Sequence, residues 1–324
     1  MTAVITTWLT DRFGLDLPVV TAPMAGVSDG RFAAAATAAG VLGTFGVGSA
    51  ASGEWIADQV AAARTTPPYG IGLMAWAQPG RPHQLEAVLA ARPALVSISY
   101  GDCAPYVDVL HDAGTTVVTQ VGTVAQALAA EKAGVDAVVA RGGEGGGHGY
   151  NLVATLPLLQ AVLDRARLPV LAAGGIATAR GLAAVLAAGA SGAWIGTAFA
   201  CCRESMWPDD QVAQAYAADE TSTGYSRVFD VASGVGWPAD VGGRTVRNAF
   251  SDAWAGREAS VSADPAAAAQ FRAAPANRDF DTLPVYVGQG VGLLATGRPA
   301  IADVVSQFGG AASLLRQAAG AISG

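Results

Sequence analysis

The chain has 324 residues, of which 52% are hydrophobic and 14% are charged, and its formal net charge is −7. This composition excludes a disordered chain, because the apolar content is sufficient for a large buried core. The acidic balance and the lack of any basic run argue against a nucleic-acid partner. A single lysine, Lys132, lies in a polar-faced stretch, which argues against Schiff-base chemistry at a buried lysine.

Cysteine usage and the N-terminus indicate the compartment. Cys103, Cys201 and Cys202 are too few and too poorly spaced for a disulfide scaffold or a metal site. The first residues lack the basic region and apolar run of a signal peptide. Two uncharged stretches, 32–53 and 181–202, are rich in small residues and are typical of helix-loop-strand units rather than membrane spans. We therefore expect a cytoplasmic protein with no metal and no membrane partner.

The first 200 residues alternate short apolar runs with Ala-rich helical patterns, separated by Gly or Pro. Eight strands are predicted, at 17–24, 41–48, 69–76, 94–101, 115–122, 136–143, 168–175 and 192–199. Seven helices are predicted between them, at 29–39, 53–64, 81–91, 104–113, 123–133, 155–166 and 178–188. The strands are apolar on both faces, as in a parallel sheet covered by helices. Eight such units predict an α/β fold, a (β/α)₈ TIM barrel, with a doubly wound open sheet as the alternative.

The composition changes after Cys202. From residue 203 to about 282 the sequence is polar and irregular, with five scattered Trp and Tyr residues, among them Trp237. We interpret 203–282 as a lid or substrate-binding subdomain inserted near the C-terminus. The run that follows returns to strand or loop and then to an amphipathic helix. The barrel is therefore expected to comprise 1–202 and 283–324.

The first candidate site segment is TAPMAG, residues 21–26, at the end of the first strand. Active sites of this fold lie at the C-terminal ends of the strands. Pro23 and Gly26 flank a rigid backbone that a flat ring could approach closely. A plain structural turn explains this segment equally well.

The second candidate is RGGEGGGHGY, residues 141–150, after the sixth strand. Glycine loses the most backbone entropy on ordering, so packing alone is not expected to explain five glycines in six positions of this loop. The loop carries His148, and histidine is the side chain most ready to exchange a proton near neutral pH. We predict a catalytic role for His148 over that of a satisfied loop histidine. His83 and His111 lie in helical patterns and are expected to be structural.

The third and fourth candidates are AAGGIAT (172–178) and IGTAF (195–199), after the seventh and eighth strands. Barrels commonly bind phosphate at these two loops through backbone N–H groups. The alternative is ordinary tight turns. Because no Ser-His-Asp, HExxH, Walker or acidic metal pattern is visible, we expect a phosphate-bearing organic cofactor.

Five segments together resemble one family, the FMN-dependent nitronate monooxygenases, formerly called 2-nitropropane dioxygenases. They are LPVVTAPMAGVSDGRFAAAATAAGVLGTFG, AGVDAVVARGGEGGGHGY, LPVLAAGGIATARGLAAVLAAGASGAWIGTAF, TVRNAF and VGQGVGLL. The resemblance covers most of the barrel and part of the insertion. It is the set in this order that is specific, and not any one segment.

The resemblance implies roles for individual residues. His148 would face the substrate beside the flavin ring as the catalytic residue. Cofactor binding is implied for Ala22, Pro23 and Met24 through their backbone, for Gly174, Gly175, Gly196 and Thr197 at the phosphate, and for Gly72, Gln120, Gly146, Gly147 and Gln289.

The resemblance also implies an activity. The implied reaction is the oxidative denitrification of an alkyl nitronate to a carbonyl compound and nitrite, with O₂ as oxidant and FMN as cofactor. The partners would be a small nitronate or nitroalkane and O₂, and a homo-oligomer stays open. Two alternatives remain: an FMN-dependent NAD(P)H enoyl-thioester reductase, and a flavin-binding accessory protein without turnover.

Two departures from the family pattern concern the flavin. Where many relatives read GVN after the third strand, this chain has Gly70, Ile71 and Gly72, which removes a side-chain amide. Where many carry lysine on the fifth strand, this chain has Gln120. Loss of a positive charge disfavours the anionic reduced flavin, although glutamine can still donate a hydrogen bond.

Overall fold

Eight parallel strands form the centre of the protein, for which a computed structural model describes residues 5–321. The strands of the whole structure are β1 (Val19–Thr21), β2 (Gly43–Gly46), β3 (Tyr69–Met74), β4 (Leu95–Ser99), β5 (Thr116–Val121), β6 (Ala137–Arg141), β7 (Gly147–Gly149), β8 (Val170–Ala173), β9 (Gly192–Ile195), β10 (Thr223–Ser226) and β11 (Gly242–Val246). The parallel sheet has the order β1-β9-β8-β6-β5-β4-β3-β2, which follows the chain without reversal.

Backbone hydrogen bonds join the two ends of this sheet. The N–H of Thr21 donates to the Leu42 carbonyl, and the N–H of Leu42 donates to the Val19 carbonyl, both at 3.0 Å. A doubly wound sheet would leave these two edges apart. The predicted (β/α)₈ barrel is therefore confirmed, and the open-sheet alternative is wrong.

Helices surround the barrel in the predicted alternation, and all seven predicted helices are present. The helices are α1 (Trp8–Phe13), α2 (Gly30–Ala38), α3 (Gly53–Ala63), α4 (Pro82–Ala91), α5 (Ala104–Asp112), α6 (Val124–Ala133), α7 (Thr155–Leu163), α8 (Ala179–Ala187), α9 (Thr197–Ala200), α10 (Asp209–Tyr216), α11 (Val228–Ser233), α12 (Ala249–Trp254), α13 (Glu258–Val261), α14 (Pro265–Asn277), α15 (Ile301–Phe308) and α16 (Ala311–Gly320). Two 3₁₀ segments, Ala75–Gly80 and Gln289–Leu293, complete the described elements.

Side-chain caps fix where several helices begin after their strands. The Asp29 carboxylate accepts from Phe32 N at 2.8 Å at the start of α2, and Thr123 and Thr178 cap α6 and α8. Such caps satisfy N–H groups that have no partner within the helix. The eighth strand was predicted to reach residue 199, but Gly196 turns into helical geometry (φ −104°, ψ −73°) and α9 begins there.

The strands bury both faces, as their apolar pattern predicted. Val20, Val139 and Trp194 belong to a cluster on one face, which Leu9 of α1 joins at the N-terminal ends of the strands. Their neighbours along the strands pack outward against the helices. This packing fills the barrel interior at the N-terminal ends of the strands. A ligand can therefore enter at their C-terminal ends.

Residues 203–282 form α10 to α14 and two strands. Helix α10 packs against the barrel near Val27 and Cys201. Helices α11, α12 and α14 share a small aromatic core in which the ring centroids of Phe250 and Phe271 lie 5.6 Å apart. Strands β10 and β11 pair with β7 in an antiparallel sheet, so residues 147–149 of the glycine-rich segment are strand and not loop.

The C-terminal helices complete the outer layer. Helix α15 packs between α2 and α8, and α16 packs on α8. Phe308 is 1% exposed, and its ring lies 6.1 Å from that of Phe199. Within residues 5–321, no helix combines the length and hydropathy that crossing a bilayer requires.

We predict that Phe308→Ala lowers the free energy of unfolding by about 3–5 kcal/mol, because it empties a core position between α15 and the barrel. Urea unfolding followed by circular dichroism measures this. The adjacent exposed residue gives the control, since Gln307→Ala should change stability by less than about 0.5 kcal/mol. Equal small effects of both changes would mean that α15 contributes little to the barrel.

Candidate active site

A cavity of about 380 Å³ lies at the C-terminal ends of the strands, where all eight barrel strands or their following loops reach it. Twelve of the thirteen residues predicted from the sequence line this cavity. They are Ala22, Pro23, Met24, Gly72, Gln120, Gly146, Gly147, His148, Gly174, Gly175, Gly196 and Thr197. Segments distant in sequence therefore meet at one site.

Gln289 is the exception. Its side chain is exposed, and its N–H donates to the Glu144 carbonyl at 2.9 Å. This bond directs its backbone toward the glycine-rich loop, while its neighbours Gly288 and Gly290 line the cavity. The Gln289 side chain therefore does not line the cavity, and its contribution to cofactor binding stays a prediction.

One end of the cavity presents free backbone donors. Within the described residues, the N–H groups of Gly175, Gly196 and Thr197 donate no hydrogen bond. Gly174 has φ +110°, and a Cβ there would lie 2.5 Å from Thr155 Oγ1, so only glycine fits this turn. Backbone N–H groups gathered in this way attract an anion.

In the cavity wall, Gly72 lies against Pro23. A Cβ at Gly72 would lie 2.5 Å from both Cβ and Cγ of Pro23. The asparagine that many relatives carry at this position therefore has no room beside Pro23 here. Packing against Pro23 therefore requires glycine at position 72.

The glycine-rich loop is ordered around the buried Arg141. The Arg141 guanidinium donates to the carbonyls of Gly145, Gly146 and Gly147 at 2.8–3.0 Å. A Cβ at Gly149 would overlap this guanidinium, and one at Gly145 would lie 3.0 Å from its Cζ. The expectation that packing cannot explain the five glycines of GGEGGG is therefore wrong for Gly145, which makes room for a buried side chain. Gly149, beyond that run, does the same.

Two other charged side chains hold the same loop. The Glu144 carboxylate accepts from both the N–H and the hydroxyl of Thr155 at 2.8 Å, at the start of α7. Arg244 of β11 donates from Nε to the Gly143 carbonyl at 2.7 Å. Three charged side chains, those of Arg141, Glu144 and Arg244, thus fix the loop that carries His148.

The imidazole of His148 is 16% exposed and has three close neighbours. Its Nε2 lies 2.7 Å from Oδ1 of Asp230, a buried residue of α11. Trp237 stacks on one face, with ring centroids 3.7 Å apart and planes at 5°. The Tyr286 ring lies 5.2 Å away and lines the same cavity.

Tyr100 connects Gln120 to His148. The Gln120 amide donates to the Tyr100 hydroxyl at 3.1 Å, and that hydroxyl donates to the His148 carbonyl at 3.2 Å. Tyr100 has φ +66°, which is uncommon for a residue other than glycine and typical of functional sites. Burial raises the pKa of Tyr100 and of Tyr286, so both phenols keep their protons at neutral pH.

Sequence reasoning missed several residues of this site. Tyr100 follows the fourth strand directly, and its position there was a usable signal. The sequence marks Arg141 only as part of the glycine motif, and Trp237 only as an aromatic residue of the insertion. For Asp230 and Tyr286 no local pattern marks a site, because their role depends on contacts across the fold.

The fold and the cavity define a barrel with a small-molecule site at the C-terminal ends of its strands. The family model "Nitronate monooxygenase" matches residues 76–305, well over half of the chain. A nitronate monooxygenase of Paraburkholderia phytofirmans is 33% identical over 241 residues, 59% of this chain and 65% of that protein. The chain belongs to the nitronate monooxygenase family, a family of oxidoreductases whose members are generally flavin-dependent.

Other relatives carry different names. A (3aS,4S,5R,7aS)-5-hydroxy-7a-methyl-1-oxo-octahydro-1H-indene-4-carboxyl-CoA dehydrogenase of Rhodococcus jostii is 34% identical over 69% of this chain and 63% of that protein. The match to each of these two curated relatives thus covers less than two thirds of the relative's length. Among solved structures, FabK from Thermotoga maritima aligns with a TM-score of 0.84 at 25% identity, over 98% of this chain and 100% of FabK. A nitroalkane oxidase from Streptomyces ansochromogenes aligns at 0.80 and 27% identity, over 97% and 99%.

We predict that Gly196→Val yields protein largely free of its anionic ligand. Gly196 has a negative φ, and an added Cβ would lie 3.4 Å from Met24 Sδ, so the new side chain enters the cavity without backbone strain. Gly175→Val should have the same effect but adds strain, because Gly175 has φ +70°. The ligand content of the purified protein is measured by absorbance and mass spectrometry.

Gly53→Val, at the surface in the first turn of α3, is the matched control and should retain the ligand. A full ligand complement in Gly196→Val would contradict an anion site at these glycines.

Proposed function

We propose that this protein catalyses the FMN-dependent oxidative denitrification of an alkyl nitronate to a carbonyl compound and nitrite, with O₂ as oxidant. The observation that carries the proposal is the position of His148 on a fixed loop in the cavity that the predicted glycines line. A proton-transfer side chain is useful only when its geometry relative to the reacting atoms is held. Membership of the nitronate monooxygenase family supports the same reaction.

FMN fits the residues that line this cavity. The free N–H groups of Gly175, Gly196 and Thr197 would hold its phosphate. The backbone from Ala22 to Met24 and the backbone at Gly72 would contact its ring. When bound, FMN supplies the electron relay between the nitronate and O₂, and the protein supplies position and electrostatics.

The residues of the chain then bind and orient the substrate. When its imidazole is protonated, His148 would donate a hydrogen bond to a nitronate oxygen. When neutral, it would take the α-proton of a bound nitroalkane. Tyr286 lines the cavity, and within residues 5–321 its hydroxyl forms no hydrogen bond, so this phenol would be a donor for the second oxygen. The aromatic rings of Trp237 and Tyr286 would exclude water from the organic part of the substrate.

We also propose that residues 203–282 act as a lid and substrate-binding insertion on a barrel formed by 1–202 and 283–324. Two contacts support this role. Val235 and Trp237 of the segment line the cavity, and Asp230 contacts the predicted catalytic histidine. The segment therefore contributes to the substrate side of the site and not only to the surface.

A second candidate is an FMN-dependent NAD(P)H reductase of an enoyl thioester. The similarity to the Rhodococcus carboxyl-CoA dehydrogenase favours it. Against it, Arg141 is the one cationic side chain among the cavity-lining residues of the described chain, and its Nη2 donates to three carbonyls of the glycine-rich loop. The phosphates of a CoA carrier would thus meet a cation that the loop already engages. Rapid NAD(P)H oxidation that depends on an enoyl thioester would identify this activity.

We predict that the purified protein is yellow and releases FMN, not FAD, on heating. A single set of free N–H donors suits one phosphate, and no GxGxxG follows the first strand to hold a pyrophosphate. Absorbance at about 450 nm and mass analysis of the released chromophore identify the cofactor. A colourless preparation, or one that releases FAD, would contradict the assigned cofactor.

We predict that His148→Ala slows flavin reduction by a neutral nitroalkane by about 10²- to 10⁴-fold, the usual range for a positioned acid-base group. A preformed nitronate has no α-proton to lose, so the variant should lose much less with that substrate. Anaerobic stopped-flow reduction with both substrates gives the comparison. His111→Ala, at the surface and outside the cavity lining, is the matched control.

The pattern of losses decides the role of His148. Small and equal losses would remove it from the reaction. Large and equal losses would assign it to holding the anion and not to proton transfer. No reduction of the wild-type flavin by either substrate would overturn the proposed activity itself.

A further inference from the structure

The contact between His148 and Asp230 joins the barrel to residues 203–282. Asp230 lies on α11, 82 residues after His148, and its side chain is 7% exposed. It does not line the cavity, so it does not touch a bound ligand directly. Its Oδ1 instead lies 2.7 Å from His148 Nε2, on the edge of the ring.

We propose that Asp230 is a positioning residue that holds the proton of neutral His148 on Nε2, which leaves Nδ1 as the proton acceptor. This inference rests on the proposed function for what Nδ1 does, but the tautomer itself does not. An ionised carboxylate only accepts hydrogen bonds, so the nitrogen it contacts must carry the hydrogen. The other ring nitrogen is then unprotonated and free to act as a base.

The surroundings of Asp230 favour this role over a merely structural one. Within residues 5–321 the hydrogen bonds give its carboxylate one partner, the His148 imidazole. The neighbouring residues Val228 and Phe229 are buried and apolar. Burial of a carboxylate without a hydrogen-bond donor is costly, so Asp230 requires the donor that His148 Nε2 supplies.

The remaining contacts of His148 hold the ring in one orientation. Trp237 covers one face at 3.7 Å between centroids, which opposes rotation about the Cβ–Cγ bond. The backbone of His148 pairs with Gly243 of β11, and its carbonyl accepts from the Tyr100 hydroxyl. With the face and the Nε2 edge both occupied, the Nδ1 edge is the reactive edge that remains.

Nitrogen-15 NMR of histidine-labelled protein tests the tautomer directly. The chain has three histidines, so His148→Ala identifies the His148 signals. At a pH where the imidazoles are neutral, we expect the wild-type pattern of a protonated Nε2 and an unprotonated Nδ1. Asp230→Asn should shift His148 toward the opposite or a mixed tautomer, because an amide can also donate to Nε2.

A matched pair provides the control. His111 Nε2 lies 2.9 Å from Asp136 Oδ2 at the surface, so Asp136→Asn should change the His111 signals and leave those of His148 unaltered. An unprotonated Nε2 in wild-type His148 would overturn the proposal. That measurement needs no variant, so the test holds even if Asp230→Asn fails to fold.

Kinetics supply the second measurement. Asp230→Asn should lower kcat with a neutral nitroalkane by up to about 10⁴-fold, as the same change does in serine-protease triads, with little change in KM. Asp230→Glu retains a carboxylate and should recover most of the loss. An unchanged tautomer and kcat in Asp230→Asn would refute the role of Asp230. If wild-type protein oxidises no nitro compound, the proposed function fails while the NMR result still judges the tautomer.

Discussion

The buried guanidinium of Arg141 is the interaction on which the site depends. It donates to three consecutive carbonyls of the glycine-rich loop and so fixes the path of the chain just before His148. Burial lowers the pKa of this arginine because the charged guanidinium loses its hydration. Carbonyl oxygens of the loop replace the lost water contacts, and the loop can approach the guanidinium because glycines stand where a Cβ would collide.

This constraint explains how a loop rich in glycine can be rigid. Residues 147–149 continue as β7, which pairs with β11 and thereby with residues almost 100 positions later. The same pairing brings Asp230 and Trp237 to the imidazole, while Tyr286 arrives from the chain after the insertion. The site is therefore completed only when distant segments have folded onto the barrel.

The sequence predicted the parts of the protein that follow from local pattern. The eight strands, the seven helices and the glycine turns after β8 and β9 carry their information within about ten residues, as Gly174 and Gly196 illustrate. Asp230 could not be identified in this way, because the sequence around it is that of an ordinary helix. Gln289 was predicted from resemblance to a motif, whereas in the structure the residue is exposed and its N–H donates to the Glu144 carbonyl.

The charges around the cavity limit how an anion can be held there. Among the residues that the structure describes, its lining contains no carboxylate, and Nη2 of Arg141 donates within the loop. Gln120 stands where many relatives carry lysine, and its amide donates to Tyr100. A negative group in the cavity therefore meets neutral donors, namely backbone N–H groups and the phenol of Tyr286. Such donors act through direction and distance more than through net charge, so discrimination between ligands here depends on how firmly each donor is held.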